Sequence, residues 1–119
     1  MRTPDIRLSF VRQVRKNSTC SVCGATKSIE FHHVRNKHFW LGDRKTVLSV
    51  PFHVVVREIQ KCIPLCTPCH NAFHCGTVVL DVDAATKQHA ETILVAKVVV
   101  KERAIRRKEK RVGRRRKRH

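Results

Sequence analysis

Two kinds of metal-binding side chain are spaced along this chain in a pattern that chance rarely produces. Cys20-Ser-Val-Cys23 and Cys66-Thr-Pro-Cys69 form two C-x2-C pairs. Each pair can set two thiolates on one tight turn, and four thiolates enclose a tetrahedral Zn2+. Gly24, directly after the first pair, suits such a knuckle, where positive φ is common. Of the two remaining cysteines, Cys62 is the rival ligand, because Cys62-x3-Cys66 could also chelate. Cys75 reads as a small core residue.

Histidine supplies the second set. His32 and His33 are adjacent, and His70 and His74 are four apart, so on a helix the latter pair share a face. His70 follows Cys69 directly, which ties that helix to the cysteine turn. Adjacent residues on a strand point to opposite faces, so His32 and His33 do not bind one cation together. One can ligate while the other stays free to accept a proton. His38, His53, His89 and His119 lack such partners and read as surface or core residues.

The elements that must position these groups can be outlined. Ile6, Phe10, Val11 and Val14 recur at near-helical spacing, which predicts a short amphipathic helix over residues 5–16. Its other face shows Arg7, Arg12, Arg15 and Lys16. Ser28–His33 reads as a strand, and residues 34–50, with Trp40 and Gly42, as a loop. Residues 52–63 fit a strand through Val54–Val56 or a helix through Val55, Ile59 and Cys62, and period alone leaves both open. A helix beginning near Pro68 would hold Asn71–Cys75, since proline is tolerated in a first turn. A brief strand is expected at 77–80 and a long helix over 84–112, against which the β-branched Val98–Val100 weighs.

Charge divides the chain further. Of 119 residues, 26 are Lys or Arg and 9 are Asp or Glu, a net charge of +17. Residues 101–119 alone hold 12 Lys/Arg and 2 Glu, a net of +10. Acidic and neutral partners explain such an excess poorly; a polyanion explains it well, nucleic acid first. The last residues, 113–119, are expected to be disordered alone and to order as a clamping arm on the polyanion. No apolar run approaches the ~20 residues of a membrane span, so no membrane partner is expected. The first residues carry charges where a signal peptide needs an apolar segment, so an intracellular location is expected. In that compartment cysteines favour metal ligation over disulfides.

The string C-x2-C, then Phe31-His32-His33-Val34, then Pro64-Leu65-Cys66-Thr67-Pro68-Cys69-His70-Asn71-Ala72-Phe73-His74 resembles the HNH endonuclease family, more narrowly its zinc-stapled members in phages and mobile elements. The resemblance spans about residues 18–75. It implies a small ββα-metal core stapled by a four-cysteine zinc site; with the N-terminal helix and the long C-terminal helix read from residue spacing on either side, the fold expected is α+β. The expected divisions are 1–17 (helix), 18–80 (core), 81–112 (helix) and 113–119 (basic tail). By position, His33 resembles the general base, and His32, His70 and His74 resemble the ligands of one catalytic divalent cation, Mg2+, Mn2+, Ni2+ or Zn2+. Cys20, Cys23, Cys66 and Cys69 resemble the structural Zn2+ ligands. Lys61, beside Gln60, stands where the family usually has an asparagine; Asn36 and His53 are more distant alternatives.

The activity so implied is metal-dependent hydrolysis of DNA phosphodiester bonds. A neutral imidazole can take a proton from water near pH 7, and a cation can offset charge on the leaving 3′-oxygen. The expected backbone-holding residues are the cations of the first helix together with Arg106, Arg107, Arg111, Arg114, Arg115, Arg116, Lys117 and Arg118. The alternative is a zinc-dependent nucleic-acid-binding protein without catalysis. Apolar positions Ile93, Leu94 and Val98 could serve a homodimer or the core, and phage or mobile-element proteins are further expected partners.

Overall fold

The computed structural model describes residues 5–117, with side chains through residue 113. In chain order the elements are α1 (Ile6–Asn17), β1 (Ile29–His33), α2 (Arg44–Val47), α3 (Phe52–Ile59), β2 (Cys62–Cys66), α4 (Thr67–His74) and α5 (Val82–Lys117). The architecture is α+β: a two-stranded antiparallel hairpin with helices around it and a long C-terminal helix.

The α1 helix starts where the Asp5 side chain accepts from the Arg7 backbone N–H at 2.8 Å, satisfying one donor of the first turn. Phe10, Val11 and Val14 give it a buried face. Arg7, expected on the exposed basic face, instead pairs with Asp5 and donates to the carbonyls of Leu48 and Val50, tying α1 to the segment after α2. That segment was expected to be loop throughout, yet Asp43 caps a short helix there by accepting from Lys45 N–H.

Residues 52–63 resolve into α3 followed by β2. Val55, Val56 and Ile59 line the buried face of α3 together with Glu58, a charged residue on an apolar face. No strand was expected at 62–66. All five residues of β2 are buried, so no alternation marks it, and Pro64 argues against a strand on its face. The structure accommodates Pro64 because its backbone faces away from β1: its carbonyl accepts from Ser21 N–H at 3.0 Å. In a two-stranded sheet that outer edge needs no N–H. Ile29 pairs with Cys66, His32 with Ile63 and His33 with Cys62.

The strand expected at 77–80 is absent; those residues form an irregular connection into α5. Ala85, His89, Ile93, Ala96 and Val100 make one buried stripe along α5, at spacings of three and four. This stripe packs on α1 and the hairpin, and Val100 inside it explains why a β-branched run stays helical. Leu94 and Val98 face outward, whereas Ile93 belongs to the core. The helix continues through Gly113 to Lys117, so residues 113–117 are helical and not the expected disordered arm. Lys and Arg are good helix formers, and the packed N-terminal half supplies the nucleus.

Two buried clusters result. One joins α1, α2, α3 and α5 through Phe10, Val14, Val47, Val55, Ile59 and Ile93. The other joins the hairpin to α4 and the start of α5 through Cys20, Ile29, Ile63, Leu65 and Ala85.

Candidate metal centre

The first C-x2-C pair sits on a tight turn. Cys20 N–H donates to the Ala25 carbonyl at 2.8 Å, Gly24 N–H donates to the Cys20 carbonyl at 2.9 Å, and Gly24 has φ +76°. The second pair spans the end of β2 and the first turn of α4, where Pro68 occupies an early helical position. Ser21 docks the knuckle onto β2 through Pro64. The four sulfur atoms lie within 4.8 Å of one another, and Cys23 and Cys66 sulfurs are 3.6 Å apart. Tetrahedral Zn–S bonds of about 2.3 Å require S···S separations of about 3.8 Å, so the cage fits a structural ion such as zinc. Burial pushes the Cys20 thiol up, but backbone N–H groups of Cys23, Cys66 and Val22 outweigh it and bring it down to about 6. The neighbouring Cys66 sulfur and burial push Cys69 up to about 12. Four crowded thiols with one acidified member are a poor arrangement for protons and a good one for a cation.

The rival ligand Cys62 stands apart from this cage. It is fully buried beside α3, and burial pushes its thiol up to about 12. Cys75, expected in the core, is exposed at the end of α4.

His32, His70 and His74 form the second group, with one nitrogen from each ring within 4.8 Å of the others. His32 Nδ1 is 3.2 Å from His70 Nε2, and His74 Nε2 is 3.0 Å from the same atom. The hairpin presents His32 to α4, where Phe73 packs edge-on against its ring. Burial, then the neighbouring imidazoles, lower the His32 pKa, favouring the neutral form that has a lone pair to give.

A carboxylate fixes the tautomer of the central ring. His70 Nδ1–H donates to Glu30 at 2.6 Å, which leaves the Nε2 lone pair facing the other two nitrogens. Thr67 holds the second Glu30 oxygen at 3.3 Å. Carboxylate to imidazole to metal is the recurring support of histidine ligands. The two separations to His70 Nε2, 3.2 and 3.0 Å, lie close to the edges of about 3.0–3.4 Å that metal–nitrogen bonds near 2.1 Å require. Glu30 escaped the sequence reading although a signal existed: it lies two residues before His32 and so shares its strand face.

His33 lies outside this cluster. Its ring turns to the opposite face of the hairpin and is 9% exposed. There Nε2–H donates to the Glu58 carboxylate at 2.9 Å. His33 Nδ1 has no hydrogen-bond partner among the described residues, yet it is not sealed from solvent. Burial lowers the His33 pKa, and the Glu58 hydrogen bond and charge oppose that in part. Glu58 itself, 2% exposed, would be raised by burial, but the His38 and Phe39 backbone N–H groups and Lys61 bring it down to about 2. Lys61, standing where an asparagine was expected, donates to Glu58 at 3.0 Å, to the Asn36 carbonyl at 3.1 Å and to His38 Nδ1 at 2.6 Å. It braces the loop after β1. His53 does not join the three-imidazole group, and Asn36 offers its backbone carbonyl to Lys61.

Of the other histidines, His89 is buried against Phe31, near the Ile59 carbonyl, and His119 lies outside the described residues. Arg106 and Arg111 stand exposed on α5 and Arg107 is half-buried. Arg118 and the side chains of Arg114, Arg115, Arg116 and Lys117 lie outside the described residues. No helix among the described residues is long and apolar enough to cross a membrane.

Comparison with known proteins gives one distant similarity. The chain is 29% identical over 68 residues to a Schizosaccharomyces pombe protein named "Uncharacterized 91 kDa protein in cob intron". The match covers 57% of this chain and 8% of that protein. No family model matches the chain, and no solved structure does.

Proposed function

We propose that this protein is a metal-dependent DNA endonuclease of the HNH type. The observation that supports it best is the division of labour within one histidine doublet. His32 joins His70 and His74 at one point, while His33 is held off that point by a buried carboxylate.

In this reading the base is His33. Nε2–H stays on Glu58, so the lone pair is at Nδ1, which accepts a proton from the attacking water. The Glu58 carboxylate offsets the positive charge that then develops on the ring. Burial keeps His33 neutral near pH 7, ready to accept. His32, His70 and His74 would hold the divalent cation, which when bound supplies charge stabilisation to the pentavalent phosphate and the departing 3′-oxygen. Three imidazoles suit Zn2+ or Ni2+ by ligand softness. The exposed cations of α5 hold the backbone electrostatically. The zinc cage joins the knuckle to the strand–helix junction and so sets His32 against α4.

The distant relative named for an intron agrees with a mobile-element setting. A zinc-dependent binder without catalysis is the second reading, favoured by Lys61 at the family's asparagine position.

Supercoiled plasmid with the zinc-loaded protein and added Mg2+, Mn2+, Ni2+ or Zn2+ separates the two. The nuclease reading expects nicking in at least one metal, and a His33→Ala variant that binds DNA but cuts at least ~10²-fold more slowly. Binding without cutting in every metal would select the second reading.

A further inference from the structure

Trp40 is the single tryptophan of the chain, and it is 63% exposed. Water is a poor place for an indole, and this one lies against the backbone of Gly42. A Cβ built on Gly42 would stand 2.6 Å from two atoms of its ring, so any side chain there would push the ring from this position. The ring borders two clefts. One, of about 310 Å3, is also lined by Arg15, Glu30, Phe31 and His70, so it opens directly onto a member of the three-imidazole group. The other is lined by Arg44 and Lys45 beyond the same ring. Arg15 stands 5.3 Å over the Phe31 ring and brings a cation to the first cleft. The carboxylates nearby are occupied: Glu30 accepts from His70 and Thr67, and Asp43 caps α2.

From this arrangement we infer that Trp40 is a stacking platform for an unpaired DNA base next to the bond that is cut, so that the substrate is single-stranded or locally unpaired at that point. The inference rests on the endonuclease reading for its polymer and adds the state of the strand. An exposed indole offers a π-face to any base, and cations on both sides of it track a phosphate backbone. A duplex base is already stacked on both faces and cannot use the ring without leaving the helix. A strand running from the metal group across Trp40 toward Arg44 and Lys45 satisfies both features together.

Because Trp40 is the only tryptophan, its fluorescence reports the contact directly. The zinc-loaded full chain, with no other divalent cation added, is titrated with a 12-mer of oligodeoxythymidylate and with a 12-base-pair duplex. The expected result is saturable quenching by the single strand and little by the duplex. Trp40→Ala should weaken binding of a labelled single strand at least about fivefold, and Trp40→Phe should restore most of it. Gly42→Ala gives an independent handle: its methyl displaces the exposed ring while the core is untouched, so binding should fall with thermal unfolding unchanged. Unmoved emission with unaltered Trp40→Ala binding would overturn the inference, as would equal quenching by duplex. The two readings fail separately: quenching without cutting in any metal strikes the nuclease, and cutting with unaltered Trp40→Ala binding strikes the platform.

Discussion

His32 and His33 are chemically identical neighbours, and what separates them is the face each one meets. His32 meets two other imidazoles; His33 meets Glu58. Strand alternation anticipates the separation, but it does not say which partner waits on the second face. Glu58 was readable only in part, as an acid at a helical spacing from Val55 and Cys62. Without a decision between helix and strand at 52–63, that spacing had no meaning. Glu58→Gln tests the positioning role. The amide still accepts from the His38 and Phe39 N–H groups, so the fold should persist at modest cost. It no longer raises the His33 pKa, so the acid limb of the pH–rate profile should move to lower pH. The rate on the plateau should fall by roughly tenfold or more, because a neutral amide no longer offsets the positive charge that develops on the His33 ring. A structural role alone would lower thermal stability and leave the acid limb in place.

At the scale of elements, the sequence reading located α1, β1, α4 and most of α5, because each has a clean period or a cap. It missed β2, which is buried on both faces and contains Pro64, so neither alternation nor propensity marks it. It also stopped α5 short of Lys117, since charge density was read as disorder while Lys and Arg propensity favours helix. The hairpin itself became visible only through its ligands, which must converge to be satisfied. That dependence predicts an uneven response to metal removal. Cys20 and Cys66 belong to the cluster holding Ile63 and Leu65, whereas Val14, Val55 and Ile93 belong to the other. In strong chelator, amide hydrogen exchange should accelerate first at Ile63 and Leu65, since the metal supplies folding free energy on that side. Unchanged protection at Leu65 after complete removal of zinc would mean that the cysteines are ordinary core residues.

The whole molecule is a small two-cluster body with a long basic helix leading away from it. After Val100 no described residue of α5 is buried, and the segment from 101 onward holds a net charge of +10. That much was plain from composition, because charge needs no fold to be counted. Its geometry was not: a helix presents its cations along one continuous element, whereas a disordered arm would wrap. Replacing Arg106 and Lys110 by Gln should reduce the slope of log K against log salt for duplex DNA by up to roughly 2. The affinity of the metal group for its ion should be unaffected by that change. An unaltered slope would show that the helix stays off the phosphates. Three imidazoles must share one cation while His33 stays apart, and calorimetric titration of the zinc-loaded protein with Ni2+ reads this out. One further cation should bind to the parent and to His33→Ala, none to His70→Ala, and the parent alone should cut DNA. Loss of that cation in His33→Ala, or its retention in His70→Ala, would contradict the arrangement.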